Sequence, residues 1–144
     1  MDKDIASYLK SEKIASVCCI DENNHPQCFN CFYSTDVEDG VLIFKSSPQS
    51  LHIHNMLQNP HVSGTILPAQ HDKFFNRGLQ FNGLLISTSP KHKRNYYAKN
   101  PAALSVSGEI YCIKLISIKM TEKSPLRSRK VCWQSASDEV LQQN

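Results

Sequence analysis

Short apolar runs separated by turn-forming residues make up most of this chain, and they predict β-strands. The runs are three to fifteen residues long and rich in branched and aromatic side chains, as strands are. The segments between the first three are dense in Asp, Asn, Gly and Pro and have hairpin length. The pattern therefore predicts antiparallel strands at 13–20, 27–34, 41–44, 62–67, 74–88, 109–121 and 131–133.

Three other segments have helical spacing. In residues 2–12, Ile5, Tyr8 and Leu9 recur on one stripe, which predicts a short amphipathic helix. Residues 48–58 and 90–100 each begin at the proline of a Ser-Pro pair and end at or just before the asparagine of an Asn-Pro pair. Serine is a good N-cap, proline suits the first helical position, and a residue that precedes proline disfavours the helical conformation.

Candidate chemistry collects at the start of the second predicted helix. Ser46, Ser47 and Ser50 stand there with unpaired backbone N–H groups, and Lys45 and His52 are close in sequence. Hydroxyls and free N–H groups at the positive end of a helix dipole form a site for a phosphate or carboxylate. Ser-Pro-x-Ser is also an ordinary helix cap, so capping without a ligand is the alternative.

Two predicted strands carry polar residues of interest. Arg77 and Gln80 lie in the 74–88 run, where Gly78 and Gly83 predict bulges or close backbone approach. On a regular strand Arg77 and Gln80 project to opposite faces, and the alternative to a joint role is a solvated face. Asn30 shares one side of the second strand with Cys28 and Phe32, which suits either a face over a ligand or a half-buried strand.

The six cysteines do not form a metal motif in the sequence. Cys28 and Cys31 have C-x-x-C spacing, but no second such pair follows, and residues three apart on a strand point to opposite faces. His52 and His54 diverge by about 200° on a helix, so they make a poor shared metal site. We expect no metal and no disulfide, with the cysteines as small buried hydrophobes.

Composition places the chain among single-domain globular proteins. It has 144 residues, 40% of them hydrophobic and 20% charged, with a net charge of +3. Such a mild charge does not indicate a nucleic-acid partner. No apolar run approaches the length of about 20 residues that crosses a bilayer, and the acidic start is unlike a secretory signal, so we expect a cytoplasmic protein. Residues 123–130 predict a basic, mobile loop, and residues 134–144 a frayed polar tail.

The order of these elements resembles the FMN-binding split barrel of the pyridoxamine 5'-phosphate oxidase-like superfamily. The resemblance covers nearly the whole chain and is closest to a small bacterial subfamily. It rests on the strand end Phe44-Lys45-Ser46, the helix start with Ser50 and His52, the Asn59-Pro60 stop before His61-Val62-Ser63, the later Arg77-Gly-Leu-Gln80-Phe-Asn-Gly83, the run Asn95 to Pro101, and the late Lys130 to Trp133. It implies a mainly β fold with α, a six- to seven-stranded antiparallel split β-barrel with flanking helices.

The resemblance also implies a homodimer with FMN at the interface and the FMN phosphate at the helix start. By position, Ser46 matches the family's strand-end hydroxyl, Ser50 its helix-start serine, and His52 its usual lysine. Arg77 and Gln80 lie in the strand that often contacts the cofactor. A histidine with the ordinary pKa of about 6.5 is mostly neutral at pH 7, and the expected compensating charge is Lys45.

Two kinds of function remain open from the sequence. The first is an oxidoreductase in which FMN supplies the redox chemistry for a small-molecule substrate and no side chain is a necessary acid or base. The second is a non-catalytic split-barrel protein that binds another phosphate-bearing ligand or haem. The substrate-binding arginine and histidine pattern of the true oxidase is not evident near the C-terminus, so pyridoxamine phosphate is not predicted as the substrate.

Overall fold

Seven antiparallel strands form one sheet in the computed structural model, which describes residues 1–136. The sheet order is β3-β2-β1-β4-β5-β6-β7, and β3 also pairs with β6. That last pairing closes six strands into a ring, and β7 extends the sheet beyond it. The strands are β1 (Ile14–Ile20), β2 (Pro26–Asp36), β3 (Val41–Ser46), β4 (His61–Ile66), β5 (Asn76–Ile86), β6 (Glu109–Ser124) and β7 (Arg127–Gln134). The expected split β-barrel with flanking helices is confirmed.

The long strand β6 has different partners along its length. Its first half pairs with β3, from Glu109 opposite Ser46 to Lys114 opposite Val41. Its second half pairs with β7, from Ser117 opposite Gln134 onwards. β5 pairs with β6 on the other side, with a shift of register after Asn82. The shift lets one continuous strand turn from the closed ring into the β7 hairpin.

Within residues 1–136, three α-helices flank the sheet: α1 (Lys3–Ser11), α2 (Leu51–Gln58) and α3 (Pro90–Lys99), the last followed by a 3₁₀ turn at Pro101–Ser105. The predicted stripe of α1 is confirmed, because Ile5, Tyr8 and Leu9 are all buried. The Tyr8 hydroxyl donates to the Ile66 carbonyl at 2.9 Å, and the Tyr33 hydroxyl donates to the Leu9 carbonyl at 2.8 Å. These bonds hold α1 over the barrel core.

The start of α2 differs from its prediction. The helix begins at Leu51 with Ser50 as N-cap, instead of at Pro48 after Ser47. The Ser50 N–H donates to the Ser47 carbonyl at 3.1 Å and the Gln49 N–H donates to Ser47 Oγ at 3.3 Å, which makes 47–50 a turn. Proline suits the second position of such a turn as well as a helix start, so the sequence pattern did not separate the two.

The basic segment 123–130 is part of a hairpin, so the predicted mobile loop is wrong. β6 continues to Ser124 and β7 begins at Arg127. Arg129 forms ion pairs with Asp4 of α1 and with Glu122 of β6. Two acids, Glu122 next to the segment and Asp4 distant in sequence, offset the charge that suggested a loop. Of the predicted tail, Gln134 belongs to β7, and 137–144 lie outside the described residues.

The two glycines of β5 have different roles, although the sequence predicted the same one for both. A Cβ on Gly83 would lie 2.5 Å from Ile113 Cγ2 and 2.7 Å from the Lys114 carbonyl oxygen. A Cβ on Gly78 would meet only Leu67, at 3.6 Å, which is ordinary contact. Close approach is therefore confirmed for Gly83, at the register shift, and not for Gly78.

We predict that Gly83→Ala lowers the free energy of unfolding by about 1–3 kcal/mol, because the added methyl group overlaps the backbone of β6. Gly78→Ala is the matched control on the same strand. It should leave stability within about 1 kcal/mol of wild type, because the methyl group has space and alanine restricts the unfolded chain more than glycine does. Urea denaturation of both variants measures the difference, and equal effects would contradict the close approach.

Candidate functional site

The candidate site lies where β3 ends and α2 begins. Ser46, Ser50 and His52 converge there: Ser46 Oγ is 2.7 Å from His52 Nε2 and 3.3 Å from Ser50 Oγ, and Ser50 Oγ is 3.3 Å from His52 Nε2. Three of the sequence-predicted residues are thus brought together. Ser50 Oγ donates to the Ser47 carbonyl at 2.7 Å and does not cap the helix. The first N–H groups of α2, which have no partner within the helix, are therefore not satisfied by this side chain.

His52 is held by packing. Its ring stacks on Phe29 of β2 with centroids 3.9 Å apart and an interplanar angle of 10°. Phe29 in turn contacts Phe44 of β3, which contacts Tyr111 of β6. Burial lowers the pKa of His52 from its ordinary value. The imidazole at this helix start is therefore a neutral hydrogen-bonding group at pH 7.

Lys45 does not supply the charge expected of it. Its ammonium group donates to the carbonyls of Ala103, at 2.7 Å, and Val106. It also lies over the ring of Tyr97, 5.0 Å from the centroid. Because alternate residues of a strand face opposite sides, Lys45 points away from Ser46. It fastens the 3₁₀ turn after α3 to the sheet.

Ser47 also lies outside the cluster. Its side chain is exposed and its hydroxyl bonds to Gln49 Oε1 at 2.9 Å. Its carbonyl accepts the Ser50 hydroxyl, so its contribution to the site comes from the backbone. Sequence adjacency grouped Ser47 with Ser46 and Ser50, but the turn at 47–50 points its side chain elsewhere.

Arg77 lies far from the cluster within one chain. It pairs with Glu122 at 2.9 Å and contacts the rings of Tyr8 and Phe75, with distances of 5.6 and 5.3 Å to the centroids. Its cross-strand partner on β6 is Glu122, whereas that of Ser46 is Glu109. The two positions are thirteen residues apart (122 − 109), roughly 40 Å along an extended strand. The ion pair with an acid, the alternative to a cofactor contact, is the arrangement of Arg77 within one chain, and the acid is Glu122.

Asn30 and Gln80 lie on the outer face of the sheet. Cross-strand pairing places Asn30 opposite Ser16, Ser16 opposite Thr65, and Thr65 opposite Gln80. All four side chains are exposed, and Ser16 Oγ donates to Asn30 Oδ1 at 2.6 Å. This row continues through Lys119 to Cys132. Asn30 and Gln80 are therefore joined to each other by one row of polar groups, and not to Ser46.

A cavity of about 950 Å³ lies near the Ser46 cluster, although Ser46, Ser50 and His52 do not themselves line it. It is lined by Met56, Leu57 and Pro60 of the α2 end, Leu85 to Thr88 of the β5 end, Lys93 and Tyr97 of α3, and Gly108 to Tyr111 of β6. Gly108 is close to Ser46, since a Cβ there would lie 3.0 Å from the Ser46 carbonyl oxygen, and its φ is +137°. The cavity walls combine aromatic and aliphatic surface with one lysine and one glutamate. The sequence analysis did not find this cavity, because its walls come from four separated segments.

Most cysteines differ from the expected buried hydrophobes. Cys19 and Cys112 are buried, Cys18 and Cys31 are half-buried, and Cys28 and Cys132 are exposed. Burial raises the pKa of the Cys31 thiol to about 12. Cys28 and Cys31 face opposite sides of β2, as their spacing predicted.

One group of possible metal ligands occurs in the part of the chain that the structure describes, namely Asp36, Asp39 and His92. The Lys91 ammonium group pairs with the Asp36 carboxylate at 2.9 Å and with the Asp39 carboxylate at 3.1 Å.

Among residues 1–136, no helix is both long and apolar enough to cross a membrane.

Comparisons with known proteins agree with the fold. No family model matches the chain. A UPF0306 protein of Photorhabdus laumondii is 27% identical over 134 residues, which cover 90% of this chain and 93% of the relative. A FAD-binding protein from Mesorhizobium loti superposes with a TM-score of 0.68 at 15% identity, over 86% of this chain and 96% of that one. A haem-binding protein from Mycobacterium smegmatis superposes with a TM-score of 0.68 at 12% identity, over 84% of this chain and 53% of that one. The chain is therefore similar to UPF0306 proteins in sequence, and its fold is shared with proteins that bind flavin or haem.

We predict that His52 titrates below its ordinary pKa of about 6.5. Its folded pKa is lowered by burial, so between that value and about 6.5 the unfolded chain binds more protons than the folded one. The His52 contribution to stability is therefore complete above about pH 6.5 and is lost as the pH falls through the folded pKa.

Proton NMR of the imidazole resonances against pH measures this pKa directly, and His52→Gln assigns the signal. The same variant should show a shallower loss of stability than wild type between pH 7 and pH 5. A pKa for His52 at or above 6.5 would contradict the buried, neutral ring.

Proposed function

We propose that this protein is an FMN-binding flavoprotein whose phosphate site is the cluster of Ser46, Ser50 and His52. The observation that supports the proposal most is the convergence of these three polar side chains at a helix start that Ser50 does not cap. A phosphate placed there would accept from hydroxyls, from the imidazole and from backbone N–H groups. FMN, when bound, supplies redox chemistry through its ring.

The residues fit a phosphate by hydrogen bonding more than by charge. The pKa of His52 is lowered, and the Lys45 ammonium group points away from the cluster towards backbone carbonyls, so neither places a full positive charge beside the two hydroxyls. A bound phosphate dianion would favour the protonated imidazole and raise the pKa of His52. We therefore propose FMN binding that strengthens as the pH falls from 8 towards 6.5, where a phosphate ester still carries much of its second charge.

The cavity beside Ser46 is the proposed place of the flavin ring. Its volume of about 950 Å³ suits a ligand of cofactor size, and Tyr97 and Tyr111 offer flat apolar surface. Lys93 and Glu109 are the charged residues at its wall and would orient polar edges of the ring or of a substrate. The residues of this chain would thus bind and orient the cofactor and exclude water.

We propose that the protein is an oxidoreductase whose electron acceptor is a small molecule, such as a quinone or nitro compound.

We propose that the protein acts as a homodimer in which the outer face of one chain completes the cofactor site of the other. Asn30 and Gln80 cannot reach the cluster of their own chain, but they lie in an exposed polar row. Beside that row, Ile14 and its cross-strand partner Phe32 are 51% and 61% exposed, and nearby Leu67 is 71% exposed. An exposed apolar patch next to polar groups is typical of an interface.

Titration of the apo-protein with FMN, monitored by flavin fluorescence, tests the phosphate site. Ser50→Ala with His52→Ala should weaken binding by about 1–3 kcal/mol, through lost hydrogen bonds to a charged group. Ser47→Ala and Arg77→Gln are the controls, because both side chains point away from the cluster, and FMN affinity should not change in either. Arg77→Gln should instead lower the free energy of unfolding by about 1–3 kcal/mol, since it leaves the mostly buried Glu122 carboxylate without its closer partner.

Unchanged affinity in the double variant, with the fold intact, would contradict the site. A tenfold loss of affinity in Arg77→Gln would instead place Arg77 at the cofactor of the neighbouring chain. A protein that takes up haem and not FMN, seen as a Soret band without flavin absorbance, would replace the proposal by a haem-binding function.

Sedimentation at micromolar concentration with FMN tests the homodimer. We predict a dimer for wild type and a dissociation constant at least tenfold higher for Phe32→Ser, because the patch would lose its largest apolar side chain. Leu126→Ser is the matched control, since Leu126 is 98% exposed at the tip of the β6–β7 turn, away from the patch. A monomeric wild type, or equal effects of the two substitutions, would contradict this interface.

A further inference from the structure

Two cysteines lie opposite each other on the outer face of the sheet, beside the polar row of Asn30 and Gln80 and away from the Ser46 cluster. Cys18 of β1 and Cys28 of β2 are direct cross-strand partners in the antiparallel pairing. Cys28 is exposed and Cys18 is half-buried. Both line a groove of about 530 Å³ that also includes Ser63 and Asn82, so a small reagent has access to the two sulfur atoms.

The hydrogen-bond pattern of the ladder determines how close the two residues are. The Asp21 N–H donates to the His25 carbonyl and the Tyr33 N–H donates to the Lys13 carbonyl, each at 3.0 Å. Hydrogen-bonded pairs in this ladder therefore fall on the odd-numbered residues of β1. Cys18 and Cys28 are a non-hydrogen-bonded pair, the class in which Cα atoms are about 4.5 Å apart and side chains are closest.

That separation permits a disulfide. Bridged cysteines have Cα atoms about 4.4–6.8 Å apart, so the pair lies near the short end of the range. The pKa of Cys18 is raised, chiefly by burial and then by the Cys28 thiol, which indicates that the two groups interact. Disulfides that are exposed or strained are more easily reduced than structural ones.

We propose that Cys18 and Cys28 are a site of reversible oxidation that forms a cross-strand disulfide with a peroxide as the oxidant. The exposed Cys28, as thiolate, attacks one peroxide oxygen, the O–O bond breaks, and water and a sulfenic acid form. The Cys18 sulfur then attacks the Cys28 sulfur, its proton leaves, and hydroxide departs as a second water. Two thiols lose two electrons in total, and one hydrogen peroxide becomes two waters.

Cys132 offers a matched comparison within the same groove. Cys132 is exposed, as Cys28 is, but its cross-strand partner is Lys119. Neither buried cysteine, Cys19 or Cys112, is open to the same reagent. A reaction specific to the pair should therefore be distinguishable from ordinary surface oxidation.

The test treats the reduced full-length protein with hydrogen peroxide, blocks remaining thiols, and maps disulfide-linked peptides by mass spectrometry without reduction. Wild type and Cys132→Ser should each lose two thiols and yield a peptide linked through Cys18 and Cys28, reversed by dithiothreitol. Cys18→Ser should yield no such peptide and should leave Cys28 as a sulfenic acid that dimedone traps. Cys28→Ser should leave Cys18 reduced.

Three results would overturn the proposal. One is equal oxidation of Cys28 and Cys132 without a linked peptide. Another is a disulfide that joins two chains through Cys28. The third is a linked peptide that forms only after the protein is denatured. The reaction involves only Cys18 and Cys28 of one chain and needs no FMN, so it can fail while the proposed function stands.

Discussion

Closure of the sheet by β3 on β6 is the constraint on which the other features depend. Without that pairing, β3 and β6 would both expose unpaired backbone groups, and the apolar residues between them would face water. The pairing also brings Ser46, at the end of β3, next to Glu109 and Gly108 at the start of β6. The cluster and the cavity beside it are therefore consequences of how the ring closes.

The chemical character of the cluster follows from packing more than from charge. His52 stacks on Phe29 and bonds to Ser46, and burial keeps its ring neutral. Lys45, one residue from Ser46, belongs to the opposite face of its strand and holds the 3₁₀ turn. A lysine at position 52 would add charge, but it would give up the aromatic stack that fixes the start of α2.

Much of the fold could be predicted from the sequence because most strands carry their own alternation and most helices their own caps. Strand positions were found within a few residues, and the stripe of α1 and the cap of α3 agree with the structure. Local patterns failed where contacts that the residue types alone do not reveal decide the outcome. The basic 123–130 segment is ordered by Glu122 and Asp4, and Pro48 starts a turn because Ser47 and Ser50 bond across it.

The candidate site was predictable only in part, for the same reason. Ser46, Ser50 and His52 are close in sequence, and local geometry brings them together. The direction of Lys45, the ion pair of Arg77 and the outer row of Asn30 and Gln80 depend on strand register, which a single sequence does not contain. The cavity walls depend on closure as well.

The change of partner along β6 divides the molecule into two parts that can open separately. In the described part of the chain, β7 pairs only with the second half of β6, whereas the ring is closed through the first half. Separating β7 breaks the terminal hairpin but leaves the β3–β6 hydrogen bonds in place. In a native-state hydrogen-exchange experiment, amides of β7 would therefore exchange through a local opening, while those of the β3–β6 ladder would exchange only with global unfolding. The walls around Ser46 would persist through fluctuations that release the end of the chain.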